Sequence, residues 1–345
     1  MIEIVTRDNL SEYEAFVESH PHGTFLQSYN WGRQKSSWRW KGILRRNEFG
    51  RITGSAAVLI RKTPVLGFSV VYGCRGPVCD PSDHQTLREL LGAIAKIAAK
   101  EHAYLVRLDP AVEAGTPDFA AELTRAGYAV RKRRRTYVPL QHRRSWLVPL
   151  AGRTEEDIFA GFEEEHRHGV RVALQRGVEV RTGGRELIPD FFSLMQQQSL
   201  RESRVVRPME YYAGLLENYD GRATLSVAYH EDKPVSAILS IYHGVRCSCV
   251  FEADNADHAL RAPYLLRTVV LQQAAADGCA VCEFFGLPRN PESAAYAFAQ
   301  GFGGEPLTYV GELDLVRRKV INFLADIGGE LMRRLNRRLY FIRIR

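Results

Sequence analysis

The sequence predicts an α/β protein in which one domain of mixed strands and helices occurs twice. Three observations carry that prediction. A phrase recurs about half the chain apart: Gly127-Tyr128 runs on to Thr136-Tyr137-Val138, and Gly301-Phe302 runs on to Thr308-Tyr309-Val310. The segments before each phrase switch between strand and helix periodicity in the same order. The chain of 345 residues is about two domains long, and a repeat this long is no solenoid unit, whose period is roughly 20–50 residues.

Each element follows from local pattern. Both halves open with helices and a polar turn. In the first half "WKGILRRNEFGRITGSAAVLIRK" reads as an antiparallel meander with a turn near Asn47–Gly50. "LRELLGAIAKIAAKEH" (87–102) has apolar residues at helical spacing, "AYLVRLDP" (103–110) is a short apolar strand ended by proline, and "DFAAELTRAGY" (118–128) is a helix capped by Gly127. In the second half the meander is "ATLSVAYHEDKPVSAILSIYHGVRCSCVFE", with turns at Asp232-Lys233-Pro234 and His243-Gly244. A helix over 265–278, a strand over 279–288 and a helix over 293–302 capped by Gly301 follow. Each half therefore reads helix, helix, three strands, helix, strand, helix, strands. This is the element order of the acyl-CoA N-acyltransferase (GNAT) fold, so the fold class is two tandem GNAT-like domains with mixed sheets layered by helices. The expected boundaries are 1–147, with 311–345 packing back on it, and 148–310.

One GNAT feature is missing. Acetyl-CoA-dependent members place a Gly-rich turn before the central helix, where backbone N–H groups hold a pyrophosphate. Neither "GCRGPVCDPSD" (73–83) nor "ADNADHALRAPY" (253–264) supplies one, so no cofactor is expected.

Hydrophobic content of 45% and charged content of 25% are those of a folded globular protein. The net charge of +7 favours anionic partners. The N-terminus is charged and lacks an apolar signal core, and no stretch nears the roughly 18 apolar residues of a spanning helix. A cytoplasmic location is expected, extending to the inner membrane surface. Six cysteines do not make a disulfide scaffold in a chain this long. Cys247-x-Cys249 and Cys279-x-x-Cys282 have the residue types of a zinc site, but on strands such thiols are more often core, and no metal is expected. His166 and His168 fall in a charged helix and are expected to be solvated. No Gly-x-Ser-x-Gly, Walker loop or Gly-x-Gly-x-x-Gly is present.

Taken in order, "FLQSYNWGRQK" (25–35), "GPVCDP" (76–81), "VRLDP" (106–110), "EEEHRHGVRVALQRGVEV" (163–180), "FFSLMQQQSLRESRVVRPMEYY" (191–212), "APYLL" (262–266), "EFFG" (283–286) and "FAQGFGGEPLTYVGELDL" (298–315) resemble the FemABX-type aminoacyltransferases, in the short form without a coiled-coil arm. The resemblance implies transfer of an amino acid from aminoacyl-tRNA to an amine of a UDP- or lipid-linked muropeptide, a step of peptidoglycan interpeptide-bridge synthesis. Two alternatives stay open: an amide-forming relative serving another envelope polymer or a small-molecule pathway, and a non-catalytic relative that binds the precursor.

The resemblance also implies a site. An anionic acceptor needs cations and hydroxyls on a groove wall. Lys35 matches the lysine after the "QS…W" motif, Arg207 and Tyr211 match an Arg-x-x-x-Tyr pair that a helix would set on one face, and Phe251 stands where the family has a tyrosine. Asp109, closing "RLDP", is a candidate to position an amine or accept its proton; it is equally a turn cap before Pro110. Phe298 keeps the first position of a "Phe-Lys…Phe-Gly-Gly" motif, but Ala299 replaces its lysine, which the resemblance places near the reacting ester. Either another cation substitutes, with Arg289 and Arg261 as the nearby candidates, or the substrate differs, or the transfer activity is gone.

Two basic segments remain, "RKRRR" (131–135) and the C-terminal 316–345. In the latter, Val320, Phe323, Leu324, Ile327, Leu331, Leu335 and Leu339 recur near helical period, with Arg333, Arg334, Arg337 and Arg338 between them. The apolar stripe is expected to dock on the protein, and the arginines to meet an anionic membrane or tRNA phosphates.

Overall fold

The computed structural model describes residues 1–63, 67–131 and 140–343. Thr136-Tyr137-Val138 and all of "RKRRR" except Arg131 lie outside the described residues. The chain divides into two units, one of residues 1–143 with 309–345 and one of residues 144–308.

The first unit runs β1 (Ile2–Ile4), α1 (Leu10–Ser19), α2 (Tyr29–Gln34), β2 (Arg39–Arg46), β3 (Ile52–Lys62), β4 (Ser69–Arg75), β5 (Val78–Cys79), α3 (His84–Lys100), β6 (Ala103–Pro110), α4 (Phe119–Arg125) and β7 (Ala129–Val130). Among the described residues its sheet has the order β1-β2-β3-β4-β6, continued by a strand from the C-terminal segment and then β7, with β5 on β3. Among the described strands of this sheet only β4 and β6 pair in parallel, and α3 is the crossover between them. All eight residues of β6 are buried, which is why its sequence does not alternate between apolar and solvent-exposed polar positions. The Asp83 carboxylate caps α3 by accepting from Thr86 N at 2.9 Å, so these first-turn donors are satisfied from within the chain. Leu87, Leu90, Leu91, Ile94, Ile97 and Ala98 bury one stripe of α3 against the sheet; each such large side chain contributes about 1.5–3 kcal/mol. Gly127 follows α4 with φ +89°, the left-handed position that ends a helix without a Cβ penalty.

The second unit runs β8 (Arg144–Pro149), α5 (Glu155–Ala160), α6 (Glu164–Gln175), β9 (Glu179–Gly183), α7 (Ile188–Glu202), α8 (Met209–Asn218), β10 (Ala223–His230), β11 (Lys233–His243), β12 (Arg246–Asp254), α9 (Ala262–Ala276), β13 (Val281–Phe285), α10 (Ala294–Gln300) and β14 (Glu305–Thr308). Its sheet has the order β14-β8-β13-β12-β11-β10-β9. Here β12 and β13 are the parallel pair and α9 is the crossover. The remaining elements, β15 (Leu313–Val316) and α11 (Lys319–Arg343), belong to the first unit, where Leu313 of β15 pairs antiparallel with Leu108 of β6 and with Val130 of β7.

Helix pair, three-strand meander, helix, parallel strand, helix thus occurs twice in the same order. Two details differ from the sequence reading. Gly301 caps α10 with φ −65°, so its need is for space: a Cβ there would lie 1.9 Å from His166 Cε1. The left-handed positions are Gly303 and Gly304, at φ +75° and +90°. A Cβ on Gly304 would also fall 2.0 Å from the Leu147 carbonyl, which fixes the second glycine of the Phe-Gly-Gly motif on backbone grounds.

Candidate active site

The second unit gathers three of the expected residues. Arg207 sits just before α8, with Pro208 at the N-cap, so the Arg-x-x-x-Tyr spacing straddles the helix start instead of lying within the helix. The backbone still brings the pair together: the Arg207 guanidinium lies 5.5 Å from the Tyr211 ring centroid, and the Arg207 N–H donates to Tyr212 Oη at 3.3 Å. Arg207 is exposed and Tyr211 half-buried. Phe251 closes the group, edge-on to Tyr211 at 6.3 Å and to Tyr212 at 5.1 Å. An exposed fork of N–H donors beside a phenol is suited to phosphate or carboxylate oxygens.

A β-bulge sets where this group faces. Leu239 pairs with Phe251 but Ser240 pairs with Cys249, so Val250 is an extra residue in β12. One inserted residue resets the alternation of faces. Phe251 therefore points to α8, and Glu252 points to α9, where Arg267 binds it at 2.7 Å.

Phe298 lies in that second cluster, not with Tyr211 and Phe251. The Arg267 guanidinium stands 4.6 Å from the Phe298 centroid and 4.4 Å from that of Phe284. Its Nη1 is buried and has no hydrogen-bond partner among the described residues. Burial raises the Glu252 pKa, against the lowering effect of Arg267. Tyr264 contacts Phe298 edge-on at 4.9 Å, and Arg261 donates to Tyr264 Oη at 3.0 Å. Ala299 is buried in the core of this unit, whereas Arg289 lies exposed on the loop between β13 and α10.

His166 corrects the sequence reading. It is buried, not solvated; its Nε2 meets the Phe298 carbonyl at 3.0 Å and its ring packs on Phe302 at 4.7 Å. Desolvation lowers its pKa, which keeps the ring neutral among the aromatics. His168 is exposed. Arg267 was not singled out from sequence, although one arginine inside the apolar run "YLLRTVVL" is a signal, because a charge in a buried helix face needs a partner.

The first unit holds Lys35 and Asp109. Lys35 follows α2, its Nζ 4.2 Å from the Trp31 centroid. Asp109 is buried, and its Oδ1 pairs with Arg75 Nη1 at 3.1 Å. Burial raises the Asp109 pKa; Arg75 and Arg107 oppose that. The carboxylate is thus bound to a guanidinium in the core and does not cap a turn at the surface.

Of the four cysteines considered together, Cys247, Cys249 and Cys282 converge, with ligand atoms within 4.8 Å of one another and all three buried. Cys249 and Cys282 Sγ are 3.7 Å apart. Burial pushes the Cys249 and Cys282 thiols up, whereas hydrogen bonds from Cys249 and Cys282 bring Cys247 down to about 5.

Comparison with known proteins bears on the family and the fold. The FemAB family model matches residues 9–233 and 228–325. A Lipid II:glycine glycyltransferase of Staphylococcus haemolyticus is 33% identical over 231 residues, 65% of this chain and 55% of that protein. One of Staphylococcus aureus is 32% identical over 223 residues, 62% of this chain and 52% of that protein. The chain spans about half the length of the curated relatives it matches. Among solved structures, FemX superposes with a TM-score of 0.82 at 21% identity, covering 93% of this chain and 99% of that one. A tandem GNAT protein from the clavulanic acid pathway gives 0.55 at 12% identity, over 91% and 98%. Two tandem GNAT-like domains are the fold.

Proposed function

The chain belongs to the FemAB family, and on that premise we propose that it is an aminoacyltransferase. It moves an amino acid from aminoacyl-tRNA to an amine of a peptidoglycan precursor carried on lipid or UDP. The likeness to lipid II:glycine glycyltransferases supports the acceptor class. Arg207 carries the reading on the structural side, as an exposed guanidinium beside Tyr211.

The chemistry asks little of the protein. The tRNA ester is already activated. The neutral amine attacks its carbonyl carbon, the C–N bond forms, the C–O bond to the ribose breaks, and the proton lost by the amine is balanced by the one the ribose oxygen gains. Holding the two groups close and aligned can supply most of the rate. In this reading Arg207 and Tyr211 of the second unit bind the acceptor, with Phe251 backing Tyr211, and Lys35 is a separate acceptor-binding candidate on the first unit. Phe298 shapes the region of the ester. Arg267, in contact with Phe298, joins Arg289 and Arg261 as the cation facing the developing oxyanion, a role worth about a hundredfold in rate. Asp109 acts as a positioning residue through Arg75. The reaction belongs to the cytoplasm at the inner membrane face, and the basic C-terminal helix is the proposed membrane contact. The buried Ala299, where the resemblance expects lysine, is the one observation favouring a non-catalytic binder of the precursor.

The test is product formation from charged tRNA and a muropeptide acceptor, read by mass. Arg207→Ala is expected to lower kcat/KM about 10- to 100-fold, the range of one lost charge-assisted hydrogen bond. Transfer from an acyl-CoA alone would defeat the reading, and acceptor binding without turnover would favour the binder.

A further inference from the structure

The largest feature left without a role is the apolar stripe of α11. The helix is tied to its unit near its start. Arg317 N donates to the Tyr104 carbonyl at 2.8 Å, and Asp326 pairs with Arg131 at 3.3 Å. Beyond Asp326 the apolar residues do not dock as their spacing led us to expect. Ile327, Leu331, Leu335 and Leu339 remain 50%, 69%, 49% and 43% exposed, and Val320, Phe323, Leu324 and Ile342 are exposed as well. Apart from the adjacent Phe323 and Leu324 they follow one another in steps of three and four, so they form one continuous face.

Three further observations say what covers this face. Arg333, Arg334, Arg337 and Arg338 lie beside it, and no acidic residue occurs after Glu330. A second copy of the same helix would set arginines against arginines, whereas an anionic surface complements them. At 25 residues the helix is about 37 Å long, but no helix among the described residues is long and apolar enough to cross a membrane. A large apolar face, flanked by arginine and too charged to span, is the signature of a helix that lies in the plane of a lipid surface.

We propose that α11 seats on an anionic lipid bilayer, with the Ile327–Leu331–Leu335–Leu339 face in the acyl boundary and the arginines at phosphate level. This deepens the transferase reading by giving the protein the surface on which a lipid-linked acceptor is met. It rests on that reading only for its biological purpose, since the lipid contact is measurable without any transfer.

The experiment is flotation of the full chain with phosphatidylcholine vesicles and with vesicles of phosphatidylcholine and phosphatidylglycerol. Binding to the anionic vesicles is expected, weakening as salt rises. Arg333→Gln/Arg337→Gln is expected to weaken it about 20-fold, since each charge is worth roughly fivefold near the surface. Leu331→Glu/Leu335→Glu is expected to abolish it. Both pairs are exposed, so thermal unfolding should be unchanged. Transfer to a UDP-linked acceptor without lipid should persist in the leucine variant, which separates a failed lipid contact from a failed transferase. The proposal is overturned if the wild type does not float with anionic vesicles, or if the leucine variant floats equally well. It is also overturned if the leucine substitutions instead turn a dimer into a monomer, or if the arginine variant loses tRNA binding and keeps vesicle binding.

Discussion

Arg75→Met is expected to lower the free energy of unfolding by about 3–5 kcal/mol, the range for removing one partner of a buried ion pair. Arg75 and Asp109 are 1% and 2% exposed. The guanidinium binds Asp109 at 3.1 Å and the His142 carbonyl at 2.5 Å, and it stacks 4.0 Å from the Tyr309 ring centroid. Methionine fills much of the volume but returns none of these hydrogen bonds. It leaves a carboxylate in the core whose Oδ2 already lacks a hydrogen-bond partner among the described residues. Arg75→Met/Asp109→Asn should recover a large part of the loss, because the double variant leaves no uncompensated charge. Urea unfolding of the two variants checks this. A single variant within 1 kcal/mol of wild type, or a double variant no better than the single, would sink the argument. The same pair bears on function: if Asp109 acts only through Arg75, the double variant should transfer no better than Arg75→Met alone although it is the more stable of the two.

The second large effect is on pH dependence, through Glu312. Burial raises its pKa from the ordinary 4.5 to about 7. Its Oε1 accepts from Leu140 N at 2.6 Å, but its guanidinium partner is shared. Arg107 lies 2.7 Å from Asp314 and only 3.5 Å from Glu312, so Asp314 takes most of the charge. A carboxyl with a raised pKa in the folded state holds a proton there that the unfolded chain has released. Stability therefore falls as pH rises from about 4.5 through 7 and levels off above, by about 3 kcal/mol for this group. Asp109 and Asp314 are raised in the same direction. Glu312→Gln keeps an oxygen to accept from Leu140 N but cannot ionise. The variant is expected to lose this part of the slope and to exceed wild type in stability at pH 8. Urea unfolding at pH 5 and pH 8 measures both. Parallel curves for wild type and variant would refute the assignment.

Much of the fold was legible because it rests on local periodicity. "AYLVRLDP" became β6 over its full length, the run at 87–102 became most of α3, and the first meander turn fell at Asn47–Gly50; the turn read near Asp232-Lys233-Pro234 lies at Glu231-Asp232, both at positive φ, with Lys233 and Pro234 already in β11. The proximity of Arg207 and Tyr211 was legible too, since four residues at a helix start can hardly separate. What was not legible depends on neighbours distant in sequence. His166 looked solvated because its own helix is charged, and it is buried by Phe298 and Phe302, more than 130 positions away. Cys249 and Glu252 share a face only because Val250 is a bulge, which shows in the register and not in the composition of the strand.

By itself the sequence determined the duplicated element order, the family, and the chemical character of the residues offered to an anionic acceptor, because periodicity, turn residues and charge are local properties. Only the tertiary structure decided that Asp109 is paired with Arg75 in the core, that Arg267 and not an exposed loop cation contacts Phe298, and that the apolar stripe of α11 is exposed. Each of those depends on which side chains exclude water from one another, and burial is a property of the folded surroundings that no single segment encodes.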